Sequence, residues 1–133
     1  MMEYNTKEMH VAVHSNGILE LRPAPGYNGT LTMEEVDNNI AALKKALNNQ
    51  PGATLIYSSG MYVKKDVLKR YTDTGLPIVA TALIADSFAS RLVGNLFLTL
   101  RKRMDASQRP TKIFAERSEA IKWLEKQLSL AKK

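Results

Sequence analysis

The spacing of apolar residues predicts two β-strands near the beginning of the chain. Larger apolar residues alternate with smaller or polar ones over Met9–Val13, and a period of two is typical of a half-buried strand. The Asn16-Gly17 pair suits a tight hairpin turn, so a second strand is expected at Ile18–Arg22. The Pro- and Gly-rich segment 23–29 that follows predicts a loop.

Farther along, the pattern predicts alternating helices and strands. Thr32 and Glu35 have the spacing of a capping box, and apolar residues at helical spacing follow them, which predicts a helix from about Met33 to Asn48. Three further strands are expected at Ala53–Tyr57, Ile78–Ala85 and Thr111–Phe114. Each is followed by a predicted helix: a short one ending near Gly75, one from Asp86 to about Met104, and one beginning at Ser118.

These elements predict a single α/β domain over residues 1–133. The expected order is ββαβαβαβα, with a mixed, mostly parallel sheet of five strands and about four helices. Ile78–Ala85 is apolar on both alternating faces except at Thr81. That composition is typical of a strand covered by helices on both sides, so we expect it inside the sheet.

The composition excludes some chemistry and suggests a compartment. The chain has 133 residues, 44% of them hydrophobic, and no cysteine, which rules out disulfides, thiol catalysis and cysteine-based zinc sites. The longest nearly uncharged stretch, Thr72–Ser90, is interrupted by Asp, Gly and Pro residues, so no transmembrane segment is expected. The first ten residues are polar and do not resemble a signal peptide. We therefore expect a cytoplasmic protein that needs no cofactor.

Three segments resemble a known family. They are Ala82–Leu98, Arg109–Phe114 and Glu119–Leu124, and they resemble small bacterial proteins of the SpoIIAA-like, or STAS, superfamily, in particular an uncharacterised STAS-like family common in Bacteroidetes. The resemblance implies a sheet of about five strands with four helices. It also implies a regulatory or protein-interaction role.

One functional motif of that superfamily is not matched. Its anti-sigma-factor antagonists carry a serine in an Asp-Ser-Ser-Gly motif that is phosphorylated to switch partner binding. Here Ser58-Ser59-Gly60 falls at the end of a predicted strand, and Lys64 and Lys65 occupy the approximate place of the switch serine. The phosphoswitch is therefore not carried over to any residue.

Candidate binding residues lie beyond the carboxyl ends of the predicted parallel strands, where ligands gather in open α/β sheets. Ser87, Arg91 and Asn95 recur every four residues and share one helix stripe, although an ion pair of Arg91 and a main-chain bond of Asn95 would equally explain them. Met61 and Tyr62 are candidate apolar anchors for a partner, or they complete the core. The candidate binding residues are Ser58, Ser59, Met61, Tyr62, Ser87, Arg91 and Asn95.

No catalytic or metal-binding set is expected. His10 and His14 are four residues apart in or beside a strand, which separates them by roughly 13 Å, too far to share a metal ion. No combination of Ser, His and carboxylate has the spacing of an acyl-transfer motif. We therefore expect no enzymatic activity.

The formal net charge of +6 raises the question of a polyanionic partner. Basic residues cluster at Arg101–Arg103, Arg109 and Lys112, but no aromatic residues interleave with them to stack on bases, so a nucleic-acid partner is not favoured. The first hypothesis is a non-catalytic interaction or regulatory module that docks a protein partner or an identical subunit. The alternative is a protein that binds a small anionic ligand or lipid, with Arg91 holding the anionic group.

Overall fold

The computed structural model describes residues 2–57, 62–85 and 110–131, and within them the chain forms eight strands and three helices. The strands are β1 (Met2–Asn5), β2 (Met9–Val13), β3 (Ile18–Pro23), β4 (Thr30–Leu31), β5 (Gly52–Tyr57), β6 (Tyr62–Val63), β7 (Ile78–Ile84) and β8 (Thr111–Phe114), and the helices are α1 (Val36–Leu47), α2 (Lys65–Asp73) and α3 (Arg117–Ala131).

Six of the strands form one mixed sheet in the order β1-β2-β3-β5-β7-β8. The first three strands are antiparallel to one another, whereas β3, β5, β7 and β8 run parallel. Strands β4 and β6 form a separate parallel pair. The prediction of an α/β fold with a mostly parallel sheet is thus confirmed.

The strand count and the predicted order need correction. The sheet has six strands rather than five because β1 pairs antiparallel with β2, and β4 and β6 add two short strands to the expected order. β1 has only four residues, most of them exposed, so its alternation is too short to stand out from a polar segment. The predicted helix at Asp86–Met104 lies outside the described residues.

The five predicted strands are confirmed with small changes at their ends. The strand expected at Ile78–Ala85 is β7, which lies between β5 and β8 and is buried from Ala80 onward. The predicted capping box is wrong. Helix α1 begins at Val36, its N-cap residue Glu35 makes no side-chain cap hydrogen bond, and the Thr32 hydroxyl donates instead to Glu8.

Helices cover both faces of the sheet. On one face, Leu124 and Leu128 of α3 pack with Ile18 and Leu55. On the other face, α1 packs against residues of β2 and β3 that include Val11 and Leu19. Since side chains alternate along a strand, β3 directs Ile18, Glu20 and Arg22 towards α3 and directs its leucines towards α1.

The end of α1 lies very close to the beginning of β5. A Cβ atom built on Gly52 would lie 2.5 Å from Cδ2 of Leu47 and 3.2 Å from the carbonyl oxygen of Gly17. Glycine at this position therefore allows the two elements to pack. No helix in the described parts of the chain is both long and apolar enough to cross a bilayer.

Candidate anion-binding site

Of the seven sequence-predicted site residues, the structure describes only Tyr62, so the predicted site stays a prediction. Tyr62 begins β6, where its main chain pairs with Thr30. The other six candidates lie outside the described residues: Ser58, Ser59, Met61, Ser87, Arg91 and Asn95. The basic residues Arg101–Arg103 and Arg109 also lie outside them.

A different group of charged residues surrounds a buried carboxylate on β3. Glu20 lies between Ile18 and Arg22 on the face that α3 covers, and its side chain is only 6% exposed. An ionised carboxylate at such a site is costly unless it is paired and hydrogen-bonded. The Glu20 carboxylate therefore needs charged and hydrogen-bonding partners.

Four side chains supply those partners, and together with Glu20 they form what we call the Glu20 cluster. Arg117, the first residue of α3, donates from Nε to Oε2 at 3.2 Å and from Nη2 to Oε1 at 3.0 Å. Arg22 donates from Nη2 to Oε2 at 3.0 Å, and the Tyr57 hydroxyl donates to the same oxygen. Nε2 of His14 lies 2.9 Å from Oε1. Both carboxylate oxygens are fully engaged.

The strand register explains how these residues meet. β3 and β5 are parallel, with Leu21 paired to Ile56, so Arg22 lies beside Tyr57. The Arg22 guanidinium carbon is 4.1 Å from the centroid of the Tyr57 ring, a cation–π geometry, and Nη2 also donates to the phenol oxygen at 3.0 Å. The cluster thus lies at the carboxyl ends of β5 and β8, the edge where ligands were expected, but it is built from other residues.

The pKa values of Glu20 and Tyr57 are displaced away from neutrality. Burial raises the pKa of Glu20, but hydrogen bonds from Arg117, Tyr57 and His14 outweigh it and hold that pKa well below its usual range. Burial and the hydrogen bond to Glu20 raise the pKa of Tyr57. At neutral pH the cluster therefore combines one carboxylate, a neutral phenol and two guanidinium groups, and its charge is positive. Neither Glu20 nor Tyr57 has the near-neutral pKa that suits a general acid or base.

The two guanidinium groups keep donors that the cluster does not use. The side chains of Arg22 and Arg117 are 53% and 47% exposed. Among the described residues, Nη1 of each arginine and Nε of Arg22 have no acceptor. Chemically, the arrangement provides two cations that Glu20 holds in place and whose side chains are about half exposed, which suits a carboxylate or a phosphate.

A second buried carboxylate has a different environment. Glu8 is 1% exposed and accepts from neutral groups: the Thr32 main-chain N–H at 3.1 Å and its hydroxyl at 2.6 Å, Asn39 Nδ2 at 2.9 Å and the Tyr27 hydroxyl at 3.2 Å. Asn39 also donates to the Tyr71 hydroxyl, and burial raises the pKa of Tyr71 to about 12. Because Glu8 is enclosed, this network joins the β1–β2 turn to α1 and does not face a ligand.

Sequence reasoning missed the Glu20 cluster for an identifiable reason. The alternation in β3 places Glu20 on the same face as the buried Ile18, so an acid on a buried face was a readable signal. Its main partner, Arg117, is 97 residues away, and no local pattern connects the two positions. His14 was considered only as a metal ligand, although it contacts the carboxylate.

Comparison of the sequence with known protein families gives a match over most of the chain. A family model described as a domain of unknown function (DUF7793) matches residues 12–128. The chain belongs to the DUF7793 family. The expected membership of the STAS superfamily is therefore wrong. The resemblance rested on the spacing of apolar residues in the sequence, which unrelated α/β proteins share.

This DUF7793 protein can also be compared with curated proteins and with solved structures. No curated protein matches the sequence significantly. A crystal structure of a protein with unknown function from Arthrobacter sp. FB24 is similar, with 18% sequence identity and a TM-score of 0.31, and the match covers 92% of this chain and 96% of that one.

Proposed function

We propose that this DUF7793 protein is a non-catalytic binding module that recognises an anionic group, a carboxylate or a phosphate, through Arg22 and Arg117. The observation that supports the proposal is that one buried carboxylate, Glu20, holds both arginines while each arginine side chain stays about half exposed. Of the two functions expected from the sequence, this proposal takes up the anionic ligand and moves it to a different set of residues.

Preorganisation makes the cluster suited to binding. A flexible arginine loses side-chain entropy when it closes on an anion. Here Arg117 is already held by a two-point contact with Glu20, and Arg22 is held by Glu20 and the Tyr57 ring. An incoming anion therefore meets donors whose positions are set, and charge-assisted hydrogen bonds to it are stronger than neutral ones.

The proposal is tested by titrating the protein with inorganic phosphate and with succinate while recording ¹H–¹⁵N NMR spectra. We expect the amide signals near Arg22 and Arg117 to shift. Arg22→Gln and Arg117→Gln should each weaken binding by about tenfold, because each loses a charge-assisted contact of about 1.5 kcal/mol. Vesicles that contain phosphatidylglycerol, in a co-sedimentation assay, test whether the anion is a lipid head group.

Arg70→Gln is the matched control. Arg70 lies on α2, is half exposed and pairs with Asp37, so it resembles the cluster arginines in charge and exposure without contacting Glu20. Equal loss of affinity in all three variants would mean that anion binding depends only on the net charge of the protein. Spectra without shifts near the cluster in phosphate, succinate and lipid would reject the proposal.

A further inference from the structure

The first strand leaves one edge of the main sheet open. β1 is the terminal strand of that sheet and, among the described residues, pairs only with β2. Such an edge presents main-chain N–H and C=O groups that another extended segment can use. Which residues present them follows from the register.

Alternate residues of an antiparallel strand direct their main-chain groups to opposite sides. The Thr6 N–H donates to the Met9 carbonyl at 2.9 Å, across the turn between β1 and β2. Counting back by two, Tyr4 and Met2 also direct their main-chain groups towards β2. Glu3 and Asn5 therefore direct theirs towards the open edge.

This edge is held in place by the turn that follows it. The Thr6 hydroxyl accepts from the Met9 N–H at 3.0 Å and contacts the amide oxygen of the buried Asn39 on α1. Asn39 in turn donates to Glu8. The end of β1 is thus attached to α1 before any segment binds beside it.

A groove of about 480 Å³ runs between β1 and α1. Tyr4 and Lys7 line it from the β1 side, and Asn38, Ala41 and Lys45 line it from the α1 side. A strand added beside β1 would direct every second side chain into this space. The geometry matches peptide recognition by strand addition, in which main-chain bonds give affinity and the adjoining pocket gives specificity.

The charges around the groove select the kind of side chain that would enter it. Lys7 is 82% exposed and lies 3.9 Å from Glu35, whose side chain is 19% exposed. Lys45 is exposed and has no ion-pair partner in the described ranges 2–57, 62–85 and 110–131. Glu3 lies on the other face of β1, where it contacts His10 at 3.4 Å. The groove therefore carries excess positive charge.

We infer that the open edge of β1 binds an extended acidic segment of a partner protein, which adds a strand beside Glu3 and Asn5 and directs carboxylates towards Lys7 and Lys45. This interaction surface goes beyond the proposed anion site and does not rest on it. The two surfaces lie on opposite faces of the sheet, since Arg22 faces α3 and the groove faces α1.

The test uses a short fluorescent peptide of alternating Glu and Val and measures its binding by fluorescence anisotropy. Lys7→Glu and Lys45→Glu should each weaken binding about fivefold, because reversal replaces an attraction at an exposed site with a repulsion. Lys44→Glu is the matched control: Lys44 is an exposed neighbour on α1 that does not line the groove.

Main-chain pairing is tested separately. The same peptide with N-methyl groups on alternate residues, in each of the two possible phases, should lose most of its affinity in one phase. In NMR spectra of the unmodified protein, the Glu3 and Asn5 amides should become protected from hydrogen exchange when the peptide binds. Glu3→Pro, which removes an edge N–H without breaking a bond to β2, should weaken binding.

Three results would overturn the inference. Equal weakening by Lys44→Glu would show a diffuse charge effect, and equal binding of both N-methylated peptides would show that no strand is added. Concentration-dependent dimerisation in sedimentation experiments that Glu3→Pro abolishes would show that a second copy of this chain, rather than an acidic partner, covers the edge.

Discussion

Replacing Glu20 with Gln removes the charge at the centre of the Glu20 cluster while keeping the side chain's size. The carboxylate accepts at both oxygens, but an amide keeps only one acceptor, and its NH₂ group then faces a donor of Arg117. A hydrogen bond to a charged group contributes about 1.5–3 kcal/mol. Since both guanidinium groups are about half exposed and can regain water, we expect a net loss of about 2–3 kcal/mol in the free energy of unfolding at pH 7.

The pH dependence of this loss identifies its origin. The pKa of Glu20 is lowered in the folded protein, so the unfolded chain binds the proton first as the pH falls. Its stabilising effect is therefore fully present above the ordinary glutamate pKa of about 4.3 and declines as the pH falls below that value. The difference in stability between the wild type and Glu20→Gln should stay constant from pH 7 to about pH 5 and shrink as the pH falls from there to about pH 3.

Urea unfolding followed by circular dichroism measures both quantities. Glu125→Gln serves as the control because Glu125 is exposed and, within the part of the chain that the structure describes, accepts a side-chain hydrogen bond only from Asn16, at 3.3 Å. That variant should change stability by less than about 0.5 kcal/mol. A Glu20→Gln deficit that stayed constant or grew in acid would refute the reasoning, since the lost interaction would then not depend on an ionised carboxylate.

Three stability predictions test other parts of the fold by the same unfolding assay. Asn39→Ala removes one of the donors to the buried Glu8 carboxylate and the donor to the partly buried Tyr71 hydroxyl and should cost about 2–4 kcal/mol, and a cost below about 1 kcal/mol would contradict the network. Gly52→Ala places a methyl group against Leu47 and should lower the free energy of unfolding by about 1–3 kcal/mol. An unchanged stability would mean that α1 and β5 can move apart without cost. Leu124→Ala should cost about 2–5 kcal/mol at a fully buried site, whereas Leu130→Ala, at a 53% exposed site, should cost far less.

The predictable part of the fold is the part encoded by local periodicity. The strands β2, β5 and β8 follow from short alternating or continuous apolar runs, and α3 follows from Leu124 and Leu128 at helical spacing. Strand β1 was missed because its four residues are mostly exposed and too few to show an alternating pattern, although they pair with the adjacent strand β2.

The candidate site was less predictable than the fold. The rule that ligands gather at the carboxyl ends of parallel strands pointed to the edge of the sheet where the Glu20 cluster lies, but the choice of residues relied on serines and a helix stripe. The Glu20 cluster depends on contacts between β3, β5 and α3, which no spacing along the chain expresses. Thr32 is a local example. Its spacing from Glu35 predicted a helix cap, but its hydroxyl donates to the buried Glu8 carboxylate instead.

The 97-residue separation between Glu20 and Arg117 also bears on how the chain is made. Ribosomes release the N-terminal strands first, and at that stage the carboxylate on β3 has no helix to shield it and no guanidinium fork from α3. Desolvating it early would be costly, so we expect that side of the nascent sheet to stay hydrated until α3 leaves the exit tunnel. The docking of α3 is then expected to be a late step in folding.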